Sequence, residues 1–181
     1  MNPTIPTANE LIKGAHVNST AVFIGKGASL DNLKASDIPQ DAVIFCINDS
    51  IHKYATLELK NICYVVQQDG KHLIDAIPPG VVCLVSPQSF KYCPLPKHIY
   101  NRLELTVTVL SRTIMVAIEL AKLAGCKDFM FLAFDSCASG SQAYAKCAKT
   151  PFLSADYLEG LLTQKEEILR RSIGHTCHFK S

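Results

Sequence analysis

No two of the eight cysteines are spaced as a CxxC pair, no apolar run reaches membrane-spanning length, and acidic and basic residues almost cancel. Each absence excludes something. Cys46, Cys63 and Cys83 lie inside apolar runs, where a free thiol packs as a small hydrophobe. Cysteine usage therefore points to a reducing cytoplasm without structural disulfides. Cys137, Cys147 and Cys177, with nearby histidines, are too irregularly spaced to mark a metal site, and none is assigned. A net charge of +2, with basic residues scattered apart from Arg170-Arg171, gives no electrostatic footprint for nucleic acid. The opening residues, MNPTIPTANE, lack a basic stretch followed by an apolar one, so no signal peptide is expected.

What is present is a globular composition. The 181 residues are 48% hydrophobic and 19% charged, enough for one domain with a substantial core. Residues 1–20 read as an N-terminal extension with a helical patch at Ala8–Lys13. Short apolar runs then recur: Ala21–Ile24, Ala42–Ile47, Asn61–Gln67, Val81–Ser86 and Asp128–Leu132. Leu103–Val109 alternates and is β-prone, and His175–Lys180 is a β-compatible tail. His175 and His178 are expected to face one side of that tail. Lys71–Ile77 looks helical until Pro78-Pro79, and residues 87–100, rich in proline and aromatics, read as a lid loop. Ser111–Leu123 is the clearest helix, with Ser111 as N-cap and Gly125 as stop. Ser154–Arg171 reads as an amphipathic helix. Strands alternating with helices predict a single α/β domain: three layers around a mostly parallel, Rossmann-like sheet.

The run Ala21–Leu30, AVFIGKGASL, carries the strongest functional signal. An apolar strand that stops at glycine and continues into a serine is the order of a phosphate-binding loop. Gly25 and Gly27 are read as giving the backbone freedom to turn and letting a ligand approach. Ser29 is read as the cap of the following helix, with nearby N–H groups facing an anion. Two familiar loops do not fit. A P-loop needs Gly-Lys-Ser/Thr, whereas Gly27 follows Lys26, and the third glycine of a dinucleotide fingerprint is replaced by Leu30. Polar segments also follow other strands: Asn48-Asp49, Gln67–Gly70 and Asp135–Tyr144. In an open α/β sheet these meet at the carboxyl edge.

The order GKGASL, IFCINDS, AIELAKLAGCKD and FMFLAFDSCASGSQAYA resembles the bacterial sialyltransferases of the short, membrane-associated type. It is equally similar to the superfamily of archaeal 6-hydroxymethylpterin diphosphokinases and flagellin-modifying glycosyltransferases. The resemblance spans roughly residues 21–145. It implies a nucleotide site, for cytidine monophosphate in the sialyltransferases, at Gly25, Lys26, Gly27, Ser29 and Asn48, with Tyr144 near the donor phosphate. Asp135 matches the aspartate of the Gly-x-Asp motif. The chain departs from the pattern at Lys26 (commonly asparagine), Ala28 (proline) and Ala133 (glycine). Residues 145–153 hold no histidine where the sialyltransferases carry their general base.

From the residues themselves, Asp69 and Asp135 are candidates for a general base or for Mg²⁺, and His72 can share a cleft with Asp69. The first functional expectation is a transferase with a nucleotide or nucleotide-sugar donor, most simply a glycosyltransferase acting on a small molecule or glycan. A Mg²⁺-dependent diphosphokinase and a nucleotide-binding module without catalysis are the alternatives. Self-association is left open.

Overall fold

The computed structural model describes residues 8–67, 78–85, 100–102, 112–135, 144–146 and 164–180. Seven strands form one sheet: β1 (Thr20–Ile24), β2 (Val43–Ile47), β3 (Cys63–Gln67), β4 (Val82–Val85), β5 (Tyr100–Arg102), β6 (Asp128–Leu132) and β7 (Thr176–Lys180). Their order is β5-β4-β3-β2-β1-β6-β7, and every neighbouring pair is parallel. Six of the stretches read from the sequence as strands, the β-compatible tail among them, are found within a residue or two of their expected bounds. The fifth strand in chain order, Tyr100–Arg102, falls at the end of the expected lid. The alternating run 103–109, the helical stretch 71–77 and most of 87–100 lie outside the described residues.

Strand pleating divides the core into two halves. On one face Ala21, Phe23, Val43, Phe45, Tyr64, Val66, Leu84, Phe129 and Phe131 pack under α3 (Thr113–Ala124), flanked by α1 (Ala8–Ile12) and α4 (Gln164–Arg171). On the other, Val22, Ile24, Ile44, Cys46, Cys63 and Val65 pack under Leu30, Leu33, Ile38 and α2 (Ile51–Ala55). These are the three layers of the expected Rossmann-like α/β domain. Cys46, Cys63, Cys83, Cys126 and Cys177 are free thiols. Cys46 Sγ lies 3.7 Å from Cys63 Sγ, and burial pushes the Cys63 thiol well up, so it packs as an inert hydrophobe.

The aromatic residues of the first face are in register across five strands. Phe179 stacks on Phe131 at 4.7 Å, Phe131 on Phe23 at 4.9 Å, Phe23 on Phe45 at 5.5 Å and Phe45 on Tyr64 at 5.4 Å. Parallel register makes this possible, because each ring sits directly opposite the next. Offset stacking at such spacing adds about 0.5–1.5 kcal/mol per pair beyond area burial.

In α3, Ile114–Ile118 are all buried, as their unbroken apolar run requires. Gly125 ends the helix in the left-handed region at φ +87°, where an added Cβ would also stand 3.0 Å from Val17 Cγ2. The N-cap position belongs to Arg112 and has no side-chain cap bond; the expected cap, Ser111, lies outside the described residues. Of the expected 154–171 helix, Gln164–Arg171 is described. The chain's last strand corrects one expectation. His175 and His178 are three residues apart, so the pleat puts them on opposite sides. His175 stacks on Phe129 with centroids 4.2 Å apart, while His178 is exposed.

Residues after α1 strap the end of α3. Gly14, His16 and Asn18 donate their N–H groups to Leu123, Ala124 and Gly125 carbonyls. The His16 ring is buried and shares a 2.8 Å hydrogen bond with the Tyr64 hydroxyl. Burial lowers its pKa below the ordinary value of 6.5, because the imidazolium would be desolvated. In the unfolded chain this histidine takes up its proton first as pH falls, so its contribution to stability is complete above about 6.5 and is lost through the lowered folded pKa. Melting temperature is accordingly expected to fall more steeply between pH 7 and 5 in the native protein than in His16→Gln, measured by calorimetry. Equal slopes would place the pH dependence elsewhere.

Candidate functional site

The strand order reverses at β1. From β1 the chain moves outward through β2, β3, β4 and β5, then returns to β6 on the other side. Ligands of open α/β sheets bind outside the carboxyl ends of the strands at such a switch point. The segments that leave β1, β2 and β6 there carry most of the residues singled out in the sequence.

The glycine loop extends the β1–β6 ladder past the strands. Gly25 N–H donates to Leu132 O and Gly27 N–H to Ala133 O, each at 2.8 Å. Ser29 N–H and Oγ both donate to Asp135 Oδ2, at 2.8 and 2.9 Å. On the other side Gly27 bridges to Tyr144, and Ala145 N–H donates to Lys26 O at 2.9 Å. The loop is therefore held between two segments that come much later in the chain.

This arrangement changes the expected roles of three residues. The N–H groups of Gly25, Gly27 and Ser29, expected to face an anion, are donated within the chain. Ser29 lies inside the 3-10 turn Ala28–Asn32, whose N-cap is Gly27, so Ser29 is not the cap. Gly27 has φ −62°, which any residue adopts. Glycine is needed there for space, since a Cβ would overlap Asp135 Oδ2 and stand 2.7 Å from Asp135 Cγ and 2.8 Å from Ala133 O. Gly25 is similar, with a Cβ placed 2.5 Å from Ala133 O.

Lys26 points across the rim. Its Nζ is 3.9 Å from Asp49 Oδ2 and 4.9 Å from the centre of the Tyr144 ring. Asp49 is buried, on the 3-10 turn Asn48–Ser50 that follows β2. Two features set this turn. Asn48 lies at φ +52°, a left-handed conformation that asparagine tolerates better than most residues. Ser50 Oγ donates to Ile24 O at 2.8 Å, fastening the turn to the end of β1. Asn48 thus opens this turn as its one residue in the left-handed region. On the outer flank Lys53 Nζ donates to Asp31 O at 2.9 Å, and Lys146 N–H donates to Asp31 Oδ1 at 3.1 Å.

Gly25, Lys26, Gly27, Ser29, Asn48, Asp135 and Tyr144 are thus gathered on one rim. Asp69 and His72 lie outside the described residues, as does most of the 67–70 segment; Gln67 itself is buried and its amide reaches Cys83 Sγ at 3.3 Å. Sequence reasoning did not single out Asp49 as a site residue. The available signal was an aspartate directly after the asparagine that ends an unbroken apolar strand. Among the described residues, no group of three or more His, Cys, Asp or Glu side chains is placed to hold a metal, and no helix is long and apolar enough to cross a membrane. Compared with family models, curated proteins and solved structures, the chain matches none.

Proposed function

We propose that the rim at the switch point binds a nucleotide and that the protein is a nucleotide-donor-dependent transferase, most simply a glycosyltransferase of the sialyltransferase-like kind. The observation that carries the reading is the meeting of Lys26 and Tyr144 beside the turn that Asn48 opens, at the carboxyl ends of β1 and β2. The resemblance places these same residues around a donor nucleotide. One of the departures also supports it. Ala133 stands where the family carries glycine, and its φ of +58° is a backbone conformation that favours glycine.

In this reading Lys26 neutralises the phosphate of the donor, and again that of the nucleotide as it leaves. The bond between Ser29 and Asp135 holds the loop that presents Lys26. Asp135 is therefore better suited to holding the loop than to removing a proton, and the remaining candidate bases are Asp69 and His72. That commitment of Asp135 is also what favours the second reading, a nucleotide-binding module without transfer.

Thermal-shift measurements separate the alternatives. Cytidine nucleotides at about 100 times Kd are expected to stabilise the protein by about 2.7 kcal/mol without added metal. Stabilisation by ATP that requires Mg²⁺ would instead support the diphosphokinase, and binding without turnover of any donor would support the module. Asn48→Ala tests the pocket but also strains a left-handed residue; Asn48→Gly keeps the backbone accessible. Both are expected to weaken nucleotide binding by about tenfold, the effect of one lost hydrogen bond to a ligand. Unchanged affinity in Asn48→Gly would move the pocket elsewhere.

A further inference from the structure

We infer that Asp49 and Tyr144 position the Lys26 ammonium as the group that tells a nucleoside phosphate from its nucleoside, the lysine turning from a buried carboxylate to the ligand when phosphate arrives. This rests on the nucleotide reading above and adds the source of its phosphate selectivity.

Three features of the cluster carry it. First, the ion pair is loose. A charge-assisted N–H···O bond spans about 2.7–2.9 Å, whereas Lys26 Nζ and Asp49 Oδ2 are 3.9 Å apart. Second, the two charges differ in exposure, the Asp49 side chain at 4% and the Lys26 side chain at 22%. The carboxylate is the fixed member, and the ammonium retains an outward side. Third, the Tyr144 ring holds the ammonium from another direction, within the range of a cation–π contact. That ring is itself placed by the Gly27–Tyr144 bridge and by Ala145 N–H on Lys26 O.

Among the described residues two weak holds fix where the charge sits, and neither is a direct hydrogen bond. A phosphate bearing one to two negative charges at hydrogen-bonding distance attracts the ammonium more strongly than a single carboxylate at 3.9 Å. Asp49 then remains behind the lysine as the counter-charge that sets its position. Lys53 does not compete for this role, being engaged with Asp31 O on the outer flank. Lysine at position 26 is also a departure from the asparagine of the resembled family, so the device belongs to this chain.

The test compares the four common ribonucleoside 5′-monophosphates with their nucleosides by titration calorimetry on the full chain. Lys26→Met should lower monophosphate affinity about tenfold to a hundredfold and leave the nucleoside within about twofold. Lys26→Arg should restore most of the loss. Asp49→Asn and Tyr144→Leu should each cost the monophosphate about fivefold, with a shallower salt dependence. Adding either change to Lys26→Met should cost nothing more, because both act through the lysine. A merely structural role would lower nucleoside and nucleotide affinity together. That outcome, multiplying losses in the double variants, or tighter monophosphate binding by Asp49→Asn would each overturn the inference. If Asp49→Asn fails to fold, Tyr144→Leu alone decides the coupling. Should the native chain bind none of the monophosphates, the nucleotide reading itself falls.

Discussion

Replacing Phe23 with alanine is expected to cost about 3–5 kcal/mol of folding stability, and with it about 10 °C of melting temperature for a chain of this length. Phe23 is the centre of the aromatic row. It is fully buried, stacks on Phe45 and Phe131, and takes the edge of Phe129 at 5.4 Å. Truncation therefore removes the transfer free energy of a large side chain and leaves three rings facing a void that the two neighbouring strands cannot close. The row predicts a gradient. Phe179 ends it on β7 and is only half-buried, so Phe179→Ala should cost about 1–2 kcal/mol. Urea denaturation of the two variants decides the matter. Equal costs would mean that the rings contribute separately and that their register adds nothing.

The second large effect is at the glycine loop, and its sign separates two explanations. If Gly27 served backbone freedom, alanine at φ −62° would be tolerated and would stabilise by about 0.4–1 kcal/mol through the unfolded state. The space around Gly27 predicts the opposite. A Cβ would be driven into the Asp135 carboxylate and stand 2.8 Å from a backbone carbonyl. Gly27→Ala is thus expected to destabilise by about 2–4 kcal/mol and to break the Asp135–Ser29 bonds. Adding Asp135→Ala should recover part of the loss, since the carboxylate is removed but Ala133 O remains. Full tolerance of Gly27→Ala in chemical denaturation would show that the two loops are not zipped together.

These two predictions stand on features with different legibility. The aromatic residues of β1, β2 and β6 were visible as members of apolar runs, and an unbroken run bounded by polar residues reads as a buried parallel strand. Nothing in the sequence said that Phe131, Phe23 and Phe45 would be neighbours, because that depends on β6 docking beside β1. The glycines were visible too, but their reason was not. The crowding atoms belong to Ala133 and Asp135, and Ser29 and Asp135 are 106 residues apart in the chain. His175 and His178 are the opposite case, because the period of two, readable from their numbers alone, already opposed a shared face.

Hydrophobic runs, helix stops and turn residues act over a few neighbours, so the sequence alone determined the α/β alternation, most strand positions, the α3 helix with its Gly125 stop, and the polar segments at strand ends. Strand order is a choice among long-range pairings, each consistent with the same local preferences. Tertiary structure therefore decided the switch point at β1, the bond from Asp135 to Ser29, and the placing of Lys26 between Asp49 and Tyr144. Burial and hydrogen bonding across the finished sheet hold those groups together, and no local stretch of chain contains both partners.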